Sequence, residues 1–397
     1  MVELRALHFS DVHEDYAKLE AIQEFLAGHQ NIDVTLYSGD FIQCQQTESG
    51  LGTIDRVIKQ GFQAVAETED FQTIDTDLQE MIAELADEEG NVNPDQFTDE
   101  QKKGVHAIID KKNALVMEGA AESALDVFNE SYQKLADEFK KISDLAPVYG
   151  VLGNHDLTIG YEHLGKGVTF LETTEKEVVK GKSGIEFILK GNINSWEVPQ
   201  LFQNQFLHPV LKEHMVDYNS GNLATNLDEK IEKARSENRK NDVDRLTHNK
   251  SILPQVVEYQ EKERERLGVI DEIDIYLAHK LPNNRTGNPN GWEPDTSEIT
   301  VEYSANASCT YGGHFHGMQV GNKHIGDRLN PPKNFFNDLM KQKGIEITKV
   351  DGVDVPVYHL DEDEPWTINP GVDYVTVSEY NKEKEIERVI IYEYIDE

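Results

Sequence analysis

Five short apolar runs constrain the fold of this chain most strongly, because each is followed by Asp, Asn or His. The runs are Leu4–Phe9, Val34–Tyr37, Val148–Leu152, Ile273–Leu277 and Cys309–Tyr311. Runs of this kind predict buried strands, and apolar residues at helical spacing between the first two predict a helix that ends near Gly28. A strand–helix–strand start is typical of an α/β fold, with functional side chains at the carboxyl ends of neighbouring strands.

The polar residues after these runs are of the types that bind metal ions. The motifs are Asp-x-His, Gly-Asp, Gly-Asn-His-Asp, a single His and Gly-His-x-His, and their members are Asp11, His13, Asp40, Asn154, His155, Asp156, His279, His314 and His316. Imidazole and carboxylate oxygen both bind Mn, Fe and Zn. A carboxylate has two oxygens and can bridge two ions, so the inventory suits two divalent cations that share a carboxylate. Asp156 is predicted to hydrogen-bond the His155 imidazole and to set its tautomer.

Two long segments interrupt the succession of strands. Residues 50–146 contain several apolar stripes at helical spacing and are predicted to be a helical insertion, with Thr98 as a helix cap. Residues 200–268 are predicted to be a second, mainly helical insertion, and residues 1–397 together to be a single domain. The segment Lys180–Gly184 contains Gly-Lys-Ser but lacks the earlier glycine and the following helix of a P-loop, so it is predicted to be a hairpin turn.

The composition limits the kinds of molecule that the chain is expected to bind. The formal net charge is −36, from 74 acidic and 38 basic residues, and such a field repels nucleic-acid backbones and anionic membranes. It does not exclude a phosphate-bearing substrate, because bound cations invert the local potential. Without a leader or an apolar run of about 18 residues, a cytoplasmic protein with no membrane partner is expected. The two cysteines, Cys44 and Cys309, fit a reducing compartment and are interpreted as buried apolar residues rather than ligands.

The order and residue types of the five motifs resemble the calcineurin-like metallophosphoesterase family, and the later turn Asn369-Pro370-Gly371 is also similar to the family. The resemblance spans residues 4–193 and 270–395. It implies an α/β fold, a four-layer α/β/β/α sandwich around two mixed sheets, with helical insertions. It also implies two divalent metal ions, with Mn favoured over Fe, Zn or Ni. One ion would be bound by Asp11, His13, Asp40 and His316, and the other by Asp40, Asn154, His279 and His314.

The implied activity is that of a metal-dependent phosphoric ester hydrolase, a phosphatase or phosphodiesterase in which a metal-bridging hydroxide attacks the ester. His155, backed by Asp156, would act on the leaving group. Gly39-Asp40 is followed by Phe41-Ile42-Gln43-Cys44 and not by the Tyr-Val-Asp-Arg-Gly that is typical of serine/threonine protein phosphatases, so that branch is not expected. Two alternatives remain open: a repair-type DNA nuclease, for which nucleic acid would be the substrate, and a non-catalytic scaffold on the same fold. The sequence indicates a phosphate-ester substrate but no partner protein.

Overall fold

The chain folds into two compact units. The first contains Met1–Ile42, Tyr132–Val198 and Val216–Glu397, and the second contains Gln43–Ser131 and Pro199–Met215. The structure is a computed structural model, and it describes residues 2–29, 31–42, 52–86, 92, 97–192, 206–211, 213–214, 227–236, 243, 247, 250, 258, 261–270, 273–281, 298–314, 318–320, 323–324, 345–350, 352–359 and 366–393.

The described strands all lie in the first unit and form two mixed sheets. In chain order they are β1 (Leu4–Phe9), β2 (Val34–Tyr37), β3 (Val148–Gly150), β4 (Thr169–Phe170), β5 (Glu177–Lys180), β6 (Glu186–Asn192), β7 (Ile275–Lys280), β8 (Cys309–Gly313), β9 (Gln319–Val320), β10 (Lys323–His324), β11 (Ile345–Val350), β12 (Val353–Tyr358), β13 (Trp366–Asn369), β14 (Tyr374–Tyr380) and β15 (Ile386–Glu393). One sheet has the order β11-β12-β15-β14-β1-β2-β3-β4 and the other β10-β9-β13-β8-β7-β6-β5. Strands β1 to β4 are parallel in the first sheet, as are β6, β7, β8 and β13 in the second.

The two sheets share one buried apolar cluster. Leu4 and Ala6 of β1 lie in this cluster together with Ile275 and Leu277 of β7. Because alternate residues of a strand point to opposite faces, each sheet turns one apolar face to this core. Burial of each large apolar side chain contributes about 1.5–3 kcal/mol, so the core fixes the strands that carry the candidate site.

Local sequence signals account for the ends of two of the described helices. In chain order they are α1 (Tyr16–Gly28), α2 (Thr53–Val65), α3 (Glu69–Leu85), α4 (Asp99–Leu145), α5 (Ile159–Leu164), α6 (His208–Leu211), α7 (Leu227–Ser236), α8 (residues 261–267) and α9 (Glu298–Asn306). Helix α1 ends at Gly28, as predicted. Helix α4 starts with a reciprocal cap, in which the Gln101 N–H donates to Thr98 Oγ1 (3.2 Å) and the Thr98 N–H to Gln101 Oε1 (2.8 Å), and this confirms the predicted cap. It ends before Pro147, which cannot continue a helix.

The second unit is helical in its described part. Helix α2 lies so close to the part of α4 in this unit that a Cβ on Gly61 would come within 2.3 Å of the Val116 carbonyl oxygen. Thr53 and Ser131 share a hydrogen bond of 2.8 Å between their hydroxyls. An ion pair joins Lys112 of α4 to Asp75 of α3. No helix among the described residues is both long and apolar enough to cross a lipid bilayer.

Several predicted boundaries need correction. Strand β7 was expected to end before His279, but it continues to Lys280 and changes register after Leu277. The β11–β12 hairpin was not predicted at all. The turn at residues 180–184 is confirmed, with Gly184 at φ 88° between the antiparallel strands β5 and β6. Cys309 is buried, as expected, whereas Cys44 lies outside the described residues.

Candidate metal centre

The ends of five parallel strands position the candidate ligands. Asp11 and His13 follow β1, Asp40 follows β2, and Asn154 follows β3. His279 lies near the end of β7, within the stretch where the pairing with β8 changes register, and His314 follows β8 directly. All six side chains belong to the first unit and are buried, with exposed fractions between 0% and 9%.

Four of these residues have left-handed backbone conformations. The φ angles are 51° at Asp11, 50° at His13, 62° at Asp40 and 66° at His314. Residues other than glycine rarely adopt this region, and such strain is typical of functional sites. The loops after β1 and β2 stabilise each other through main-chain hydrogen bonds, which run from Asp11 N to Gly39 O and from His13 N to Asp40 O, both 3.0 Å.

One group of possible ligands consists of His13, Asp40 and His155, whose donor atoms all lie within 4.8 Å of one another. His13 Nε2 is 3.9 Å from Asp40 Oδ2 and also 3.9 Å from Asp11 Oδ1. His13 Nδ1 lies 3.1 Å from the Ile42 carbonyl oxygen and donates to it. This bond leaves the Nε2 lone pair facing the carboxylates, as a metal-binding imidazole requires.

A second group consists of Asp40, His279 and His314, again within 4.8 Å. Asn154 Oδ1 lies between the two rings, 2.9 Å from His279 Nε2 and 3.1 Å from His314 Nδ1. His279 Nδ1 donates to the Ser38 carbonyl oxygen at 2.6 Å. Its Nε2 therefore points at the Asn154 oxygen and, at 3.5 Å, at Asp40 Oδ2. This donor set of carboxylate, amide oxygen and imidazole suits a borderline divalent cation.

Electrostatics link the two groups through Asp40. Burial opposes ionisation of Asp40, but the charges of His279, His155 and His13 hold its pKa well below the ordinary value. Burial also disfavours a charged His279 ring, yet the Asp40 carboxylate raises the pKa of His279 to about 9. In the metal-free protein at neutral pH, the His279 proton balances the buried carboxylate. A cation held here would replace that proton, because a metal ligand must be a neutral imidazole.

Main-chain N–H groups hold the carboxylates of Asp11 and Asp40 in place. The backbone N–H of His314 donates to both carboxylate oxygens of Asp11, at 3.0 Å each. The Asp40 Oδ1 atom similarly accepts from the His155 N–H at 3.0 Å. These main-chain bonds fix the carboxylates before any ion arrives and keep a second oxygen of Asp40 directed at the imidazoles.

The structure gives Asp156 other hydrogen-bond partners than the predicted His155 imidazole. Its Oδ2 accepts from the N–H groups of Asp40 (3.0 Å) and Gly153 (2.7 Å), and its Oδ1 accepts from Phe41 (2.9 Å) and Ile42 (3.2 Å). Both oxygens thus bind the main chain, and no hydrogen bond to the His155 imidazole occurs among the described residues. Burial raises the pKa of Asp156 to about 7, with the Asp40 charge acting in the same direction and the backbone N–H groups against it.

Sequence reasoning missed a buried carboxyl behind the Gly-Asn-His-Asp motif. Glu172 Oε1 accepts from Leu152 N at 2.7 Å and from the Tyr161 hydroxyl at 3.3 Å. Burial raises the pKa of Glu172 to about 8. The available signal was an acid within the first turn after the short strand β4, next to the buried residues Phe170 and Leu171. The predicted ligand His316 lies outside the described residues, as do Gln43 and Cys44, so the proposed role of His316 stays a prediction.

Comparison with known proteins leaves the family unassigned. No protein-family model matches the chain, and no curated protein matches it. Among solved structures, the crystal structure of TT1561 of Thermus thermophilus is similar over 100% of both chains, with a TM-score of 0.38 and 10% sequence identity. A similarity of this size carries no argument about activity. What the chain does have is a mixed α/β fold with two sheets and two groups of His and Asp that can hold a metal ion.

Proposed function

We propose that the chain is a dinuclear metal-dependent phosphoesterase with the four-layer α/β/β/α architecture of the calcineurin-like metallophosphoesterase superfamily. The observation that supports this most is that Asp40 belongs to both groups of possible ligands. A carboxylate common to two sets of imidazoles is the arrangement expected for two cations that share one ligand.

The residues divide into two sets in this proposal. Asp11, His13 and Asp40 would hold one ion, with His316 as a further ligand, while Asn154, His279 and His314 would complete the second around Asp40. Bound there, two divalent cations, with Mn favoured, would make a water nucleophilic at neutral pH and neutralise the phosphoryl oxygens. Their charge would also offset the net charge of −36, which otherwise opposes the approach of a phosphate ester.

His155 is proposed to act on the leaving group. It is less buried than the six ligands, and its ring centroid lies 5.1 Å from that of His13. Its Nδ1 is buried and has no hydrogen-bond partner among the described residues. An imidazole at the edge of the centre can donate a proton to the departing oxygen, which typically contributes 10²–10⁴-fold in rate.

Hydrolysis of p-nitrophenyl phosphate and bis-p-nitrophenyl phosphate tests the proposal. The chain is stripped with a chelator and reloaded separately with Mn, Zn, Fe, Ni or Mg. Turnover is expected only with metal, and Asp40→Asn is expected to lose more than about 100-fold together with bound metal, beyond the ~10–100-fold typical of residues that only support ligands. Asp33→Asn, at the other end of β2 where the carboxylate accepts from Arg5 N, is the control. Metal binding without turnover on either ester would favour a scaffold instead.

His155→Ala separates acid catalysis from metal binding. We expect unchanged metal content by mass spectrometry and a loss of about 10²–10⁴-fold on phenyl phosphate, whose leaving group needs a proton. The loss on p-nitrophenyl phosphate should be much smaller. Equal losses on both esters, together with reduced metal content, would instead make His155 a ligand beside His13 and Asp40.

A further inference from the structure

A buried histidine on β1 is not used by the proposed centre. His8 has no exposed surface, and its Nε2 lies 2.9 Å from the Ser38 hydroxyl. Its ring meets the ring of Tyr311 edge to face, with centroids 4.9 Å apart and an angle of 74° between planes. The neighbours Ala6 and Tyr311 belong to the apolar cluster between the sheets, so His8 is a polar ring within an apolar core.

Ser38 connects His8 with the candidate metal centre. Its hydroxyl contacts His8, while its carbonyl oxygen accepts the 2.6 Å hydrogen bond from His279 Nδ1. The residue is fully buried and directly precedes Gly39, whose φ is 94°. Its own N–H donates to Phe9 O at 3.4 Å, a long bond, so the hydroxyl contact with His8 adds a restraint on Ser38.

We propose that His8 is a positioning residue, which acts through Ser38 to fix the carbonyl group that orients His279. The chain of contacts runs from His8 Nε2 to Ser38 Oγ, then from Ser38 O to His279 Nδ1, and it presents His279 Nε2 to Asp40 and Asn154. The inference rests on the proposed metal centre and adds a residue that no ligand motif contains.

A purely structural role accounts poorly for His8. Burial lowers the pKa of His8 to about 3, so the ring is neutral and places one donor and one acceptor in the core. One hydrogen bond contributes about 0.5–1.5 kcal/mol, whereas a buried polar atom without a partner costs about 1–3 kcal/mol. His8 Nδ1 has no partner among the described residues. A leucine of similar volume would avoid that cost, so stability alone does not account for a histidine at this position.

Metal affinity provides the test. Calorimetric titration with Mn²⁺ and the visible absorption of bound Co²⁺ are compared for the full chain and for His8→Leu, Ser38→Ala and the double variant. We expect each single variant to bind metal about 10-fold to 100-fold more weakly, with a shifted Co²⁺ spectrum. The double variant should be no weaker than the weaker single, because both changes break one chain of contacts. His8→Gln, whose amide nitrogen can occupy the Nε2 position, should recover most of the affinity.

Thr35→Val is the matched control. Thr35 lies on the neighbouring strand β2, is equally buried and also has an unpaired hydroxyl among the described residues, but it is not part of the His8–Ser38–His279 chain. It should bind metal like the parent. If circular dichroism shows that His8→Leu does not fold, the Ser38→Ala variant provides the test, since it removes only a hydroxyl.

Two results would overturn the inference while the proposed function stands. The first is that folded His8→Leu and Ser38→Ala bind Mn²⁺ with the affinity of the parent. The second is that His8→Leu loses Mn²⁺ affinity while Ser38→Ala does not. A parent chain that binds neither Mn²⁺ nor Co²⁺ would overturn the proposed function as well.

Discussion

Backbone conformation at single residues sets the geometry of the candidate centre. Asp11, His13, Asp40 and His314 adopt left-handed φ angles, each at a cost of roughly 1–3 kcal/mol. The cost is tolerated because main-chain hydrogen bonds between the loops after β1 and β2 hold the conformation. The candidate ligands are thus arranged by the backbone, which would lower the reorganisation that binding of a cation requires.

Gly39 allows a close approach that no other residue could make. A Cβ at this position would lie 2.7 Å from both Gly153 N and His279 Nδ1. We expect Gly39→Ala to lower the free energy of unfolding by about 3–5 kcal/mol and to weaken metal binding, because Gly153 and His279 must both shift. Urea denaturation in the presence of a chelator measures the first effect.

Gly184→Ala is the matched control for this substitution. Gly184 is also left-handed, with φ 88°, but has open space where a Cβ would be. It should cost only about 1–2 kcal/mol and leave metal affinity unchanged. Equal losses in the two variants would show that backbone strain alone, rather than the close contact, makes Gly39 necessary.

At the scale of elements, Asp156 joins the loop after β2 to the loop after β3. Its two oxygens accept from four main-chain N–H groups, three of them in residues 40–42. Asp156→Asn would turn an amide donor towards two of these N–H groups. We expect a loss of about 2–4 kcal/mol in unfolding free energy with metal chelated, measured by urea denaturation. The control is Asp144→Asn on the exposed face of α4, which should leave the unfolding free energy unchanged. Parental stability combined with lower turnover would restore the catalytic role for Asp156.

The strands that carry the ligands could be predicted because their signal is local. Leu4–Phe9 and Val34–Tyr37 are short apolar runs, and the structure gives β1 and β2 the same bounds. The motif residues after them follow from the rule that ligands collect at the carboxyl ends of parallel strands. The six buried candidate ligands that the structure describes do come together there.

Other features could not be predicted because they depend on contacts distant in sequence. Asp156 binds N–H groups more than 110 positions away, so the nearby His155 was the only partner visible in the sequence. The role of Ser38 towards His279 spans 241 positions. The β11–β12 hairpin is a different case, because its signal is local: Ile345–Val350 and Val353–Tyr358 alternate apolar and polar residues on either side of Asp351-Gly352. It could have been predicted from the sequence and was overlooked.

For the whole molecule, stability should respond to the protonation of Glu172. The folded protein holds the pKa of Glu172 at about 8 because the carboxyl is buried, whereas an unfolded chain releases this proton near pH 4.3. Between these values the unfolded state binds fewer protons, so this group makes stability fall as pH rises, by up to about 1.4 kcal/mol per pH unit.

Glu172→Gln removes that contribution. Its unfolding free energy, compared with that of the parent at pH 5, 6.5 and 8, should become relatively higher towards pH 8. Glu186→Gln, at an exposed position on β6, should keep a constant difference. If the difference in unfolding free energy between Glu172→Gln and the parent is constant as well, the Glu172 carboxyl ionises in the folded protein with an ordinary pKa.

The pairing of β1 with β14 has a consequence for synthesis in the cell. Residues 4–8 form their antiparallel partners with residues 376–380, and the candidate ligands extend from Asp11 to His314. Parallel and long-range pairing is slow, because a large loop must close before contacts form. A ribosome must therefore release almost the entire polypeptide before β1 can pair with β14, although its other neighbour, β2, is synthesised early. If the candidate centre holds metal, the metal is then expected to bind only after synthesis, and a pulse-labelled, stalled nascent chain lacking residues 374–397 should fail to bind it.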